Sequence, residues 1–377
     1  MRFAFVSDNA YPWFNGGIEK RRYIIMRSLA KEGHEVHCFT MRHQHMPRDE
    51  FTHMGIRYHC VARAMDWEGM YRGGSARRSI RMPLLFALSI LPAMLPYRFD
   101  AVDADSFPFL HLFPVWLYTR LRGVRFAITW HEVWSMEFWS HYLRGLGRLG
   151  FLAEWLSSRL ADVHIANAST TKELLGSVLG VDAGRVITFP VAVDSDEVKR
   201  FTRGRFAKRR QFVSIARLVS HKRVWLAIRA VAKTDAKLIV VGRGPDLGAL
   251  EKLANEVAPG RVAFRQAVST AALYRTLMES RALLMTSARE GLSLATIEAL
   301  AAGVPVVIAT TSVLPKEVRR MCVEASEEGL GRLLNEMLAS DRYAERAMRM
   351  RKSVLSTFSG DSSGSVYRKV AGADWLC

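Results

Sequence analysis

Arg289-Glu290-Gly291-Leu292-Ser293-Leu294-Ala295-Thr296-Ile297-Glu298-Ala299, continued by Leu300-Ala301-Ala302-Gly303-Val304-Pro305-Val306-Val307, sets two carboxylates eight residues apart where a loop enters a helix. The pattern predicts a helix from Ser293 to Ala302 inside a buried α/β unit. Its free N–H groups and positive dipole end then face Glu290 and Gly291, which makes an anion site suited to a diphosphate. Glu298, one to two turns further in, is placed to accept hydrogen bonds from vicinal hydroxyls such as those of a ribose. Glu290 is placed to orient a second polyol.

Outward from this stretch, apolar runs of strand length alternate with helix-length segments, the signature of parallel sheets covered by helices. Strands are expected at Phe3–Ser7, Glu35–Thr40, Gly55–Cys60, Ala101–Ala104, Arg125–Trp130, Val163–Asn167 and Val186–Phe189. A second series is expected at Phe212–Ala216, Lys237–Val241, Val262–Arg265, Ala282–Thr286 and Val304–Ala309. The fold class is therefore α/β with two doubly wound, Rossmann-like domains, at 1–190 and 191–360, and a C-terminal segment at 361–377. Lys199–Arg210, with seven basic residues in twelve, reads as a solvated linker, with a nucleic-acid or lipid-binding arm as the rival reading.

The 377 residues carry a net charge of +18, of which residues 1–190 contribute 23 − 17 = +6 and residues 191–377 contribute 31 − 19 = +12. Such a balance favours anionic partners, whether nucleic acid, lipid headgroups or phosphorylated substrates. Cys38, Cys60, Cys322 and Cys377 form no Cys-x-x-Cys pair and no metal-ligand cluster, so free thiols in a reducing compartment are expected. The opening Met-Arg-Phe-Ala-Phe-Val is a strand pattern rather than a secretory leader, which points to the cytoplasm. Residues 82–96 are apolar but hold three prolines and fall short of the roughly 20 residues that span a bilayer. A buried helix is expected there, with Arg77, Arg78 and Arg81 alongside for peripheral contact with an anionic membrane.

Ser214-Ile-Ala-Arg217-Leu-Val-Ser-His-Lys222-Arg223 sets two cations after a strand, a planar fork at Arg217 and a point charge at Lys222, both suited to one diphosphate. In Val241-Gly242-Arg-Gly244 the glycines serve either close backbone approach to a nucleotide or a turn with positive φ. Asn9-Ala-Tyr-Pro-Trp-Phe-Asn-Gly16-Gly17-Ile-Glu19 ends in two glycines before a helix, where N–H groups can reach a phosphate. Ile128-Thr-Trp-His131-Glu132 is a strand running into His-Glu. Val102-Asp103-Ala104-Asp105 has the form of a metal-binding Asp-x-Asp. With Arg217, Lys222 and a helix end already neutralising a diphosphate, a metal is redundant, and both aspartates read as strand-end residues.

In this order the motifs resemble the retaining glycosyltransferases of family 4, the glycosyl transferases group 1, over nearly the whole chain. The first stretch matches the family's Glu-x7-Glu motif, Arg217 and Lys222 its Gly-Arg-Leu…Lys-Gly site with Ala216 in place of Gly, Gly16-Gly17 its Pro-x-x-Gly-Gly loop, and Thr129–Glu132 its Thr-x-His-Asp. The resemblance implies the GT-B fold, two domains facing a central cleft, and transfer of a sugar from a nucleoside-diphosphate sugar with retention. Arg217, Lys222, Glu290 and His131 would then be catalytic. Gly16, Gly17, Gly242, Arg265, Gly291, Leu292, Ser293, Leu294 and Glu298 would bind the donor, with Glu19 and Glu132 on the acceptor side. No metal and no cofactor are implied, since the nucleotide sugar is a substrate. Gln266 departs from the Gly of the family's base pocket. At the C-terminus, Phe358-Ser359-Gly360-Asp361 lacks the usual Trp and gains glycines, so a short or frayed crossover is expected.

The leaving phosphate itself would take the acceptor's proton, so protein groups mainly stabilise departing charge. Arg217→Ala or Lys222→Ala should then cost on the order of 10²-fold in turnover, while Asp103→Ala should leave it nearly unchanged. The basic charge, the 82–96 segment and the aromatics Trp130, Trp134, Phe138 and Trp139 suggest a lipid-linked or cell-surface glycan as acceptor, and nucleic acid is not an expected partner. Two rivals stand beside this reading: a nucleotide-sugar epimerase or phosphorylase on the same scaffold, and a non-catalytic basic protein that binds polyanions or membranes.

Overall fold

A computed structural model describes residues 1–14, 16–63, 81–204, 206–266 and 268–372. Arg77, Arg78, Arg205 and Cys377 lie outside the described residues. The chain divides into two compact units, Met1–Val191 with Gly360–Cys377, and Ala192–Ser359.

The first unit runs β1 (Arg2–Val6), α1 (Gly17–Lys31), β2 (Glu35–Arg42), β3 (Glu50–His53), β4 (Ile56–Arg63), α2 (Arg81–Met94), β5 (Ala101–Asp105), α3 (Leu112–Arg122), β6 (Arg125–Trp130), α4 (Met136–Leu143), α5 (Gly147–Ser157), β7 (Val163–Ala166), α6 (Ser169–Leu179) and β8 (Val186–Thr188). Its sheet has the order β3-β4-β2-β1-β5-β6-β7-β8, parallel except for the β3–β4 hairpin. The central strands are buried on both faces, which is why they read as continuous apolar runs rather than alternating ones. One face is covered by α2, α3, α4 and α6, through residues such as Phe86, Ile90, Val115, Trp139 and Leu175 packed on Val102 and Ile128. The opposite face carries α1 and a C-terminal helix, with Ile25 and Tyr367 packed on Phe3 and Phe5.

The second unit runs α7 (Ser195–Thr202), β9 (Gln211–Ile215), α8 (Val224–Ala232), β10 (Lys237–Val241), α9 (Leu247–Val257), β11 (Val262–Arg265), α10 (Thr270–Glu279), β12 (Leu283–Met285), α11 (Leu294–Ala301), β13 (Val306–Ala309), α12 (Lys316–Arg319), β14 (Val323–Ala325), α13 (Leu330–Ala339) and α14 (Arg342–Phe358). Its sheet is parallel throughout, in the order β11-β10-β9-β12-β13-β14. The unit's entry and exit lie side by side: the Ala192 and Val193 N–H groups both donate to the Phe358 carbonyl, at 2.8 and 3.1 Å.

Two expectations change. The basic run from Lys199 is only in part an open linker, because it begins within α7. Its far end is fastened down, with the Lys208 ammonium on the Ser280 carbonyl (2.9 Å), Arg209 on Glu279 (3.1 Å) and Arg210 on Asp235 (2.5 Å). Nor is the C-terminal segment frayed, since α15 (Ser363–Val370) docks on the first unit with Tyr367 buried between Phe3 and Phe5. Gly364 makes that docking possible. A Cβ there would overlap the Glu32 carboxylate, which accepts the Gly364 N–H at 3.2 Å. The glycine is a packing device rather than a helix breaker.

Candidate active site

In the second unit the strand order turns between β9 and β12, so the loops leaving their carboxyl ends diverge and open the place where doubly wound sheets hold ligands. The β9 loop carries Arg217, Lys222 and Arg223, and the β12 loop carries Ser287 to Ser293. Lys222 Nζ lies 2.8 Å from Glu290 Oε1 with both side chains largely buried, and the Ser287 hydroxyl donates to the same oxygen at 2.5 Å. Backbone bonds hold the loops in register: Ala288 N–H to the His221 carbonyl (2.8 Å), and Glu290 N–H to the Val313 carbonyl (2.9 Å).

Arg223 occupies the left-handed region (φ 46°) and works as a bolt. Its guanidinium donates to the carbonyls of Thr286 and Ser287, the hydroxyls of Thr311 and Ser312, and the Glu327 carboxylate, at 2.8 to 3.3 Å. Such a backbone costs a non-glycine residue about 1–3 kcal/mol, which these bonds offset. Ser293 is left-handed as well (φ 60°), and it caps α11 without a side-chain bond to the backbone; its hydroxyl pairs instead with Thr296 at 2.8 Å. The first turn of α11, through Leu294, therefore presents N–H groups that no cap satisfies. The helix is one residue shorter at each end than expected, with Ser293 and Ala302 as its caps. Glu298 lies buried along it, and Gly291 and Leu292 lead into it.

The Arg217 side chain is exposed and, among the described residues, makes no hydrogen bond or ion pair, while its carbonyl accepts the Val219 N–H at 3.0 Å. The two glycines after β10 fix its loop. A Cβ on Gly242 would overlap the Ala216 carbonyl, and one on Gly244 would overlap the Leu218 backbone. Their close backbone approach is to the chain's own cation loop, closed by Leu218 N–H to the Arg243 carbonyl at 2.8 Å. Arg265, at the end of β11, turns its side chain to Thr276 on α10 (3.1 Å), while its carbonyl accepts the Gly242 N–H at 3.0 Å.

The sheet of the first unit turns between β1 and β5, and a buried ionic network fills that point. Arg22 of α1, 2% exposed, pairs with Asp103 (2.5 Å) and with Asp105. Asp103 also accepts from Thr129 (2.8 Å) and from the Tyr367 hydroxyl (2.5 Å), while Asp105 meets His131 Nε2 at 2.8 Å. Burial works against the Asp105 charge, but Arg22 and His131 outweigh it and hold the carboxyl well below the usual range. Burial likewise lowers His131, which favours a neutral ring with Nε2–H directed at Asp105. The Tyr367 hydroxyl, raised by burial, stays protonated and donates. Asp103 is thus committed to protein donors through both oxygens and Asp105 through Oδ1. Of the two aspartates read as strand-end residues, Asp105 does end β5, whereas Asp103 stands in its middle and is the hub of this network.

Gly16 precedes α1 as its N-cap, Gly17 begins the helix, and the Glu19 carboxylate folds back against Gly16 where a Cβ would sit. Glu19 is buried, and Glu132 is exposed at the end of β6. Trp130 and Trp139 are core residues, donating to His164 (3.0 Å) and Glu154 (2.6 Å), so of the four aromatics expected at the acceptor only Phe138 is exposed and Trp134 half-buried. The structure brings Lys222 and Glu290 together, and His131 with Asp105. Sequence reasoning missed Arg22, Tyr367, Ser287 and the role of Arg223. An arginine pair embedded in the apolar run of α1 was the available signal for Arg22.

Residues 195–353 match the family model described as Glycosyl transferases group 1, and residues 15–197 match that described as Glycosyltransferase Family 4. No curated protein matches by sequence. Among solved structures the chain is similar to sucrose-phosphate synthase from Thermosynechococcus elongatus (TM-score 0.77, 16% identity, 99% of this chain and 100% of that one). It is similar also to HepE of Anabaena in complex with UDP (0.70, 14%, 99% and 100%) and to the catalytic domain of starch synthase IV from Arabidopsis thaliana bound to ADP and acarbose (0.71, 14%, 99% and 98%). These likenesses give the fold, which is GT-B. With consecutive family models running from residue 15 to 353 and that fold along the whole chain, the protein belongs to the group 1, family 4-type glycosyltransferases.

Proposed function

We propose that the protein transfers a sugar from a nucleoside-diphosphate sugar to a hydroxyl of a glycan, lipid-linked or on the cell surface, with retention at the anomeric carbon and without a metal. The observation that carries this reading is the Lys222–Glu290 pair, set at the turn of the second sheet before the uncapped start of α11. Arg217, free to swing, and Lys222, held by Glu290, would take the diphosphate together with the N–H groups of Gly291, Leu292, Ser293 and Leu294. As the sugar–phosphate bond breaks, negative charge grows on the leaving phosphate, and these groups stabilise it, Lys222 and the N–H groups from fixed positions and Arg217 after closing on the diphosphate. The phosphate oxygen takes the acceptor's proton as the new glycosidic bond forms, so no carboxylate is needed as a base.

Glu290 would orient the donor sugar's hydroxyls and Glu298 the ribose. Gly242 and Arg265 would line the base side, and His131, Glu19, Glu132, Gly16 and Gly17 are the candidate residues of the first unit. Nucleotides on two of the similar structures, UDP on HepE and ADP on starch synthase IV, support a nucleotide donor. Thermal-shift screening against UDP, GDP and ADP sugars would identify it. NMR of the product made in EDTA should then show the donor's anomeric configuration retained at full rate. Inverted product, or a requirement for metal, would reject the mechanism, and conversion of donor without acceptor would favour the epimerase.

A further inference from the structure

We propose that the outer layer of the first unit, formed by α2, α3 and α5, seats the protein on an anionic phospholipid surface. The inner side of α2 is a stripe at Met82, Phe86, Ile90 and Met94 that packs on the sheet, and α3 packs the same sheet face. Arg122 donates to the Leu95 carbonyl just past the end of α2 (2.5 Å), tying α3 to α2, and Arg120 donates to Asp162 immediately before β7 (2.8 Å). The α5 helix lies on α4 through Gly150, whose missing Cβ leaves room for the Trp139 ring. The sides turned away from the core should be polar in a water-facing layer. They are not. Leu88 is 69% exposed, Leu121 65% and Leu149 61%, with Trp116 and Trp155 exposed beside them.

Charge selects the occupant. The three helices carry Arg81, Arg120, Arg122 and Arg148, and their one carboxylate, Glu154, is buried beneath α5. A second copy of the chain packed here about a two-fold axis would bring arginines against arginines. Arg120 is already paired with Asp162, so lipid phosphates complement the remaining positive charge, while the leucines and tryptophans enter the boundary between headgroups and acyl chains. No described helix is long and apolar enough to cross a membrane, so the contact lies in the plane of the surface.

The test is flotation of the full chain with vesicles of phosphatidylcholine mixed with phosphatidylglycerol, against phosphatidylcholine alone, without sugar donor. Its failure would therefore leave the transfer reading standing. Wild type should float with the mixed vesicles and be released by salt. Leu88→Glu, Leu121→Glu and Leu149→Glu should each lower the partition coefficient about tenfold, with thermal unfolding unchanged because the positions are exposed. No flotation at low salt, or undiminished flotation of the triple variant, would overturn the proposal. So would a concentration-dependent dimer in sedimentation velocity that the same substitutions abolish while no vesicle binding occurs.

Discussion

Removing the Asp103 carboxylate should cost the first unit about 4 kcal/mol of stability, although no substrate need touch it. Asp103 receives a guanidinium N–H from Arg22 at 2.5 Å, the Thr129 hydroxyl at 2.8 Å and the Tyr367 hydroxyl at 2.5 Å, all in a core that water does not reach. Breaking a buried ion pair from one side typically costs about 3–5 kcal/mol, because the surviving charge is left uncompensated. Arg22 retains Asp105, which places the electrostatic part near the lower figure. The orphaned Tyr367 hydroxyl adds about 1 kcal/mol or more. Tyr367→Phe alone removes one bond to a charged acceptor, worth about 1.5–3 kcal/mol. In Asp103→Ala/Tyr367→Phe the two costs should overlap by about 1–2 kcal/mol, since the hydroxyl already lacks its acceptor in the first variant. Urea unfolding followed by tryptophan fluorescence is a selective assay, because Trp225 is the one tryptophan of the second unit. An Asp103→Ala midpoint matching wild type, or strictly additive costs in the double variant, would refute the network as drawn.

Lys222→Ala and Arg217→Ala should each lower turnover on the order of 10²-fold or more, measured by steady-state kinetics in EDTA; activity within a few-fold of wild type would remove the diphosphate role. Gly244→Ala places a methyl group against the Leu218 backbone and should displace the cation loop. It is expected to weaken nucleotide binding by calorimetry, with Trp-reported unfolding of the first unit unchanged. The Glu154 carboxyl is pushed up to about 7, chiefly by burial, while its two tryptophan donors oppose the shift. The native state therefore holds a proton that the unfolded chain releases near its ordinary value of 4.5. The Glu154 contribution to stability should be fully present below that value and fall by about 3 kcal/mol as pH rises through 7, opposite in sign to that of Asp105, which is lost only as pH falls through the acid range. In urea titrations Glu154→Gln should flatten this slope, and an unchanged slope would assign the titration to another group.

Both sheets were legible in the sequence because strands buried on two faces leave uninterrupted apolar runs, as at Phe126–Trp130 and Leu238–Val241. The missed strands are the ones that break this rule. Glu50–His53 is a four-residue edge strand with polar alternation, betrayed only by the left-handed Met54-Gly55 turn, and Val323–Ala325 is three residues long. Within the site, Lys222 and Glu290 were legible through the resemblance of their flanking motifs, since residue type and spacing alone fit a solvated loop equally well; their pairing was not legible. Spacing could not reveal which partner fills a glycine's empty face. Gly16 is filled by Glu19, Gly242 by Ala216 and Gly364 by Glu32, all from the chain itself. The sequence was silent, too, on the joining of Arg22, Asp103 and Tyr367, whose contact depends on a helix laid down 264 residues after the aspartate.

Because Tyr367 is translated only after the whole second unit, the first unit emerges from the ribosome with its central carboxylate short of a donor and its α1 face bare of α15. The usual vectorial order, in which an N-terminal domain finishes before the next begins, is thereby reversed at its last step. The nascent first unit waits for the tail. A ribosome-stalled chain ending at Ser359 should be more readily cleaved by protease in residues 1–191 than the released protein.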